Sequence, residues 1–215
     1  MTKQIQIDIV SDTICPWCFI GKRRLEKAIA NTKAAHPDAQ IEFNIDWQPF
    51  QLDPTLPKEG YNKREHYIEK FGKARAQAMF PRMEAVGKDD GINFSYGGTV
   101  SNTLDSHRLI AFAKSKGKQD AVVEELFHNY FEQEKNIADE EVLKAAGVKA
   151  GLDAAEVEVF LKSGELAYET KGEIERNMRR NIHGVPNFTI NKRYQLSGAQ
   201  EPETFQEIFE QVISA

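Results

Sequence analysis

The chain has 215 residues, 40% of them hydrophobic and 28% charged, with 28 Lys and Arg against 33 Asp and Glu for a net charge of −5. These globular values exclude a disordered chain, and the acidic balance gives no reason to expect nucleic acid or an anionic membrane as partner. No apolar run approaches the roughly 20 residues a bilayer span needs, and the N-terminus reads as a strand and not as a secretory leader, so a cytoplasmic protein is expected.

Ile5, Ile7 and Ile9 alternate with Gln4, Gln6 and Asp8, which predicts a first strand of period two. Ser11-Asp12-Thr13 is turn chemistry. Cys15-Pro16 then opens a helix carrying Leu25, Ala28 and Ile29. Pro16 suits its first turn, where the missing N–H has no intrahelical partner. Ile41, Phe43 and Ile45 make a second strand, closed by Trp47-Gln48-Pro49-Phe50. Strand, helix, strand is the crossover that two parallel strands require.

Past a linker with Pro54, Pro57 and Gly60 the pattern turns helical. A helix is expected over His66 to Met79, with Tyr67, Phe71, Ala74 and Ala78 on one face and Pro81 ending or kinking it. Gly91 to Gly98 is a loop. Asn102 or Thr103 caps a helix with Leu104, Leu109 and Phe112, and another from Asp120 carries Val123, Leu126, Phe127, Tyr130 and Phe131. Asp139 opens the next, Asp153 with Glu156 resembles a capping box, and Gly164 ends that helix. Residues 165–181 form a strongly charged helix. Val185 to Ile190 and Arg193 to Leu196 read as a hairpin turned by Asn191-Lys192, followed by a helix from Pro202 that buries Phe205, Ile208, Phe209 and Val212.

The only two cysteines stand together in Cys15-Pro16-Trp17-Cys18. Two placed at random would fall three apart about once in a hundred times, so the spacing carries information. A disulfide framework needs more cysteines, and a structural zinc site needs four ligands, which the five scattered histidines do not complete. No metal is expected. Disulfide exchange, by contrast, needs a thiolate nucleophile and a second thiol close enough to resolve the mixed disulfide. Cys15 at the helix start faces free N–H groups and the positive end of the dipole, which favours its thiolate; Cys18, one turn in, is the resolving thiol. Ile14, Trp17 and Phe19 make an apolar rim for a thiol- or peptide-bearing partner. The competing reading of the pair is a plain structural bridge.

Val185-Pro186 is a second signal, since a proline opening such a strand is unusual. A cis bond there, next to the thiols, would leave the Val185 backbone free to pair with an extended peptide; a trans edge-strand proline is the plainer alternative.

This order of elements resembles a DsbA-family thioredoxin fold, an α/β fold with an inserted all-helical domain. Ser11-Asp12-Thr13-Ile14-Cys15-Pro16-Trp17-Cys18, Asn102-Thr103 with His107-Arg108-Leu109, Gly184-Val185-Pro186 and Ser197-Gly198-Ala199-Gln200 resemble its FrnE-like branch. The resemblance implies a cis Pro186, a thioredoxin-like domain over 1–60 and 165–215, an inserted helical domain over 61–164, and thiol–disulfide oxidoreductase activity on protein or small-molecule partners. It also brings Asn102, Thr103, His107 and Gly184 forward as substrate- or glutathione-binding residues. Asp12 is expected to aid proton transfer to Cys18, or to cap the turn. Ala199 and Gln200 precede the last helix, whose N–H groups suit a carboxylate such as that of a γ-glutamyl group, or are simply capped.

The fold is similar as well to kappa-class glutathione transferases and 2-hydroxychromene-2-carboxylate isomerases, which carry a Ser where Cys15 stands. That similarity supplies the alternative reading, a glutathione-dependent transferase or isomerase. No bound cofactor is expected beyond glutathione as co-substrate, and the assembly is read as a monomer or homodimer.

Overall fold

The computed structural model describes residues 2–180 and 182–214. Strand β1 (Lys3–Ser11) pairs in parallel with β2 (Ile41–Pro49), and helix α1 (Pro16–Ala35) connects them. On its other edge β1 pairs antiparallel with β5 (Asn187–Ile190), which pairs antiparallel with β6 (Tyr194–Ser197), so the sheet order is β2-β1-β5-β6. Asn191 and Lys192 both have positive φ, 48° and 57°, the backbone a two-residue hairpin turn of the primed type demands.

Alternation decides the two faces of the sheet. Ile5, Ile7 and Ile9 are fully buried, and register places Phe188 beside Ile9 and Ile190 beside Ile7 on the same face. Helices α1 and α9 (Pro202–Ser214) pack there, with Phe209 against Phe43 (ring centroids 5.0 Å apart) and Phe205 edge-on to Phe188 at 4.9 Å. The opposite face carries Gln4, Gln6, Asp8 and Asn44, tied to one another by side-chain hydrogen bonds such as Asn44 Nδ2 to Gln4 Oε1 at 2.6 Å.

Between β2 and β5 the chain forms a two-residue ribbon, β3 (Tyr61–Asn62) with β4 (Thr99–Val100), and helices α2 (Lys63–Phe71), α3 (Lys73–Asp89), α4 (Leu104–Lys114), α5 (Gln119–Phe131), α6 (Glu140–Lys149), α7 (Ala154–Lys162) and α8 (Ala167–Arg179). Asp139 and Asp153 cap α6 and α7, each accepting two backbone N–H bonds. The helix expected over His66 to Met79 is instead two. Gly72, at φ 82°, breaks it, and Pro81 sits inside α3. A residue without Cβ takes this left-handed backbone at no steric cost, so the glycine and not the proline sets the boundary. Ala74 and Ala78 are exposed, so the shared face of Tyr67, Phe71 and the alanines is no core face.

Two contacts fix the helical part to the sheet. The Gln119 side chain bonds both main-chain groups of Trp47, accepting from its N and donating to its O at 3.0 Å each, and so completes the outer edge of β2 as another strand would. Lys22 and Arg23 of α1 meet Glu124 of α5, Lys22 at 3.0 Å, with Asp120 3.5 Å from Lys22. Burial raises the cost of charging Lys22, but these carboxylates more than offset it and lift its pKa above the ordinary lysine value.

Candidate active site

Cys15 caps the N-terminus of α1 in extended backbone (φ −89°, ψ 113°), and Pro16 takes the first helical position as expected. Cys18 N donates to Cys15 O at 3.0 Å, closing one turn that brings the thiols to the same end of the helix. Both are free thiols. The Cys15 Sγ lies 3.4 Å from the Val185 carbonyl oxygen, and the Val185–Pro186 peptide is cis. Gly21, one turn past Cys18, faces β5 and its approach: a Cβ there would stand 3.0 Å from the Phe188 ring and 3.1 Å from the Pro186 ring.

The two sulfurs differ in what they face. Cys15 lines a cleft of about 750 Å³, with Pro16, Trp17, Gly184 and Val185 beside it. Cys18 is 1% exposed and does not line it. Burial, reinforced by the neighbouring Cys15, holds the Cys18 thiol well above the usual thiol range; Ser11 and the Asp12 backbone oppose this only in part. Cys15 is itself only 3% exposed, but it meets the cleft and Cys18 does not, and one sulfur facing the cleft with a second behind it is the arrangement that capture and resolution of a disulfide require.

Beneath the thiols the Ser11–Ile14 turn is bolted to α4. Asp12 is fully buried; its Oδ1 lies 3.2 Å from His107 Nε2 and its Oδ2 accepts from Leu52 N at 2.7 Å. Thr13 Oγ1 and Ser106 Oγ are 2.8 Å apart, and Ser106 donates to Thr103 O at 2.7 Å. A void of about 30 Å³, room for about one water, lies behind this turn against Ser11, Thr13, His107 and Glu173.

Several residues expected to bind substrate lie outside the cleft lining. His107 is 3% exposed and turned to Asp12, so it holds the cysteine turn from within. Thr103 is buried and takes a bond from Gln51. Asn102 donates to Pro54 O and Leu56 O at 3.1 and 3.0 Å and accepts from Leu104 N, spending its amide on the linker. Phe19 is fully buried among aromatic rings, 5.1 Å from Phe127 and 5.9 Å from Phe131, and anchors α1 to α5. Ala199 and Gln200 lie outside the cleft lining: Ala199 O accepts from Arg24, whose guanidinium also meets Asp90 and Glu201, and Gln200 Nε2 folds back onto Ser197 O.

The rest of the cleft wall was missed from sequence. Much of it comes from α2 and α3, with Lys63, Tyr67, Phe71, Arg75, Met79 and Arg82, and the remainder from the linker at Leu52 and Leu56, from Tyr96 and from Phe131 of α5. Lys63 is 1% exposed, donates to Tyr130 O at 2.7 Å and lies 3.8 Å over the Tyr130 ring. Burial pulls its pKa down to about 8. Tyr67 is pushed up to about 12, also by burial. Among the described residues no group of three or more His, Cys, Asp or Glu is placed to hold a metal ion, and no helix is long and apolar enough to cross a membrane.

A family model for the DSBA-like thioredoxin domain matches residues 6–210, nearly the whole chain. The chain belongs to this family. Within the DSBA-like family, it superposes on a probable DsbA oxidoreductase, SCO1869 of Streptomyces coelicolor, with a TM-score of 0.87, at 29% identity over 98% of this chain and 90% of that one. It is 24% identical to the uncharacterized protein YwbO of Bacillus subtilis (strain 168), covering 94% of each chain. A 2-hydroxychromene-2-carboxylate isomerase shares the fold at 13% identity and a TM-score of 0.71, over 97% of this chain and 96% of that one. So does the cytosolic disulfide reductase DsbM of Pseudomonas aeruginosa, in a structure with GSH, at 16% identity and a TM-score of 0.68 over 98% and 100%.

Proposed function

We propose that this DSBA-like protein is a thiol–disulfide oxidoreductase of the FrnE-like branch, working through Cys15 and Cys18 on protein or small-thiol disulfides. The observation that carries the reading is the asymmetry of the pair: Cys15 at the α1 start lines the cleft, and Cys18 is sealed one turn behind it.

The Cys15 thiolate attacks one sulfur of a substrate disulfide. A Cys15–substrate S–S bond forms, the substrate S–S bond breaks, and the first product thiol leaves. Cys18 then gives up its proton and attacks the Cys15 sulfur, releasing the second product thiol and leaving a Cys15–Cys18 disulfide. Two electrons have moved from the protein dithiol to the substrate. Two molecules of a small thiol such as glutathione return the pair to the dithiol and leave as their own disulfide; the structure of the neighbour DsbM with GSH supports that choice, and its cytosolic description supports a reducing compartment for this chain. Run backwards, the same steps oxidise a substrate, and the reduction potential of the pair sets the direction.

The test is Cys18→Ser with any disulfide substrate. Dithiol exchange requires the variant to stall as a mixed disulfide on Cys15, visible by mass spectrometry, with turnover falling by about a hundredfold or more. Full activity in Cys18→Ser would instead support the glutathione-dependent transferase or isomerase reading, in which only the first sulfur matters.

A further inference from the structure

The lining of the Cys15 cleft has a charge that the whole chain does not. Against a net charge of −5 for the protein, the cleft is lined by Lys63, Lys70, Arg75 and Arg82 and by a single carboxylate, Asp53, which Lys70 already pairs at 3.2 Å. Lys63, Arg75 and Arg82 remain, and among the described residues none of them forms an ion pair with a carboxylate. Lys63 is the telling one. A buried ammonium is costly unless a partner neutralises it, and here it has one carbonyl, a ring face and the Glu134 carboxylate, which acts from beyond ion-pair distance and offsets burial only in part. Two of its three N–H donors remain for a ligand. Around these cations the wall is apolar: Leu56, Phe71, Met79, Met83 and Phe131, the methionines adaptable in shape. A cleft of this volume is of the size that takes small organic ligands.

We propose that the cleft is a binding site for small anionic, amphiphilic disulfides and thiols, with the sulfur at Cys15, the apolar body between Phe71, Met79 and Phe131, and an acidic group, carboxylate-like in charge, on Lys63 with Arg75 and Arg82 at the rim. This rests on Cys15 being the attacking thiol, and it places the anion site on α2 and α3 instead of at the start of α9. The charge excess selects the substrate by its acid group, and Lys63 supplies the ammonium that the ligand neutralises.

The capture step alone tests it. The Cys15 thiolate attacks a probe disulfide, a Cys15–S–S–aryl bond forms, and one aryl thiolate leaves with measurable absorbance. The probes are dithiobis(nitrobenzoate), an aryl disulfide with a carboxylate on each ring, and dithiodipyridine, a neutral aryl disulfide. The quantity read is the ratio of the two rate constants, divided by the same ratio for free mercaptoethanol so that intrinsic reactivity cancels. The full-length protein is expected to favour the anionic probe by about tenfold, the factor one well-placed ion pair supplies. Lys63→Met should lower that preference several-fold. Arg75→Gln with Arg82→Gln, at two exposed positions on α3, provides a second variant that keeps the buried packing intact. A normalised ratio near one, or a preference that neither variant lowers, overturns the proposal. Because capture at Cys15 needs no resolving thiol, an anionic preference that persists when Cys18→Ser proves harmless to turnover would sink the dithiol mechanism and leave this site standing.

Discussion

The Asp12 carboxylate lies 3.2 Å from His107 Nε2, across 95 positions of sequence, and both side chains are sealed from solvent. One residue sits three before Cys15 and the other on α4, so this contact sets where the cysteine turn rests on the helical layer. Asp12→Ala would leave the Leu52 N–H and the His107 ring without their partner and should cost about 3 kcal/mol. Asp12→Asn keeps an acceptor for Leu52 and should cost less. Urea unfolding of Asp12→Asn, His107→Gln and the double variant should give a coupling energy of about 1–3 kcal/mol. Additive losses would mean that the two side chains act separately.

Cys18 predicts a pH dependence. Its thiol is held above the ordinary range first by burial, and burial persists when Cys15 is tied up in a mixed disulfide. A thiol attacks as its thiolate, so decay of the mixed disulfide should speed up by about tenfold per pH unit from about pH 6 to about pH 9. The same shift acts on stability. The unfolded thiol ionises first, so the folded dithiol form holds its stability below the ordinary thiol range and loses it as pH rises further. Quench-flow mass spectrometry of the mixed disulfide reads the first effect, and a rate that levels off below about pH 8 would contradict it.

Lys63 should cost stability in the empty protein. Its folded pKa of about 8 lies below the ordinary lysine value of 10.5, so the unfolded chain binds that proton more tightly. Stability should therefore rise between about pH 8 and about pH 10 and be lowest below that window. Lys63→Met removes the buried charge at the expense of the Tyr130 carbonyl bond, and at pH 7 it should stabilise by about 1–2 kcal/mol. It should also flatten the alkaline rise. A variant less stable than the parent at pH 7, with the rise unchanged, would mean that the ammonium is already well neutralised in the fold.

What could be seen in the sequence was local. The alternation of Ile5, Ile7 and Ile9, the helix opened by Cys15-Pro16 and the hairpin about Asn191-Lys192 each follow from a period or a turn residue, and each stands in the structure. What stayed hidden is held together across the chain. Tyr67 and Phe71 show the spacing of a core face, and periodicity does not distinguish a face turned to other helices from one turned to a cleft. Lys63 reads as an ordinary surface lysine until Tyr130 of α5 lies against it. Gln119 looks like a polar residue opening a helix, yet it finishes the edge of β2. His107 is brought forward by resemblance, and its contact with Asp12 becomes visible only once α4 packs under the cysteine turn.

Gly21 gives a prediction in which two effects oppose. Ala in place of Gly within a helix is ordinarily favourable by about 1 kcal/mol. Gly172, inside α8, meets only the flexible end of Arg176 at 3.6 Å, so Gly172→Ala should show that gain nearly in full. At Gly21 the added methyl would press on two rings of β5 and its approach, Phe188 at 3.0 Å and Pro186 at 3.1 Å, and neither ring has a flexible end to yield. Overpacking of this kind costs about 1–3 kcal/mol, so Gly21→Ala should come out less stable than the parent in urea. If Gly21→Ala were instead as stabilising as Gly172→Ala, α1 would have room against β5, and the position of Cys15 would have to be set by the Asp12–His107 contact alone.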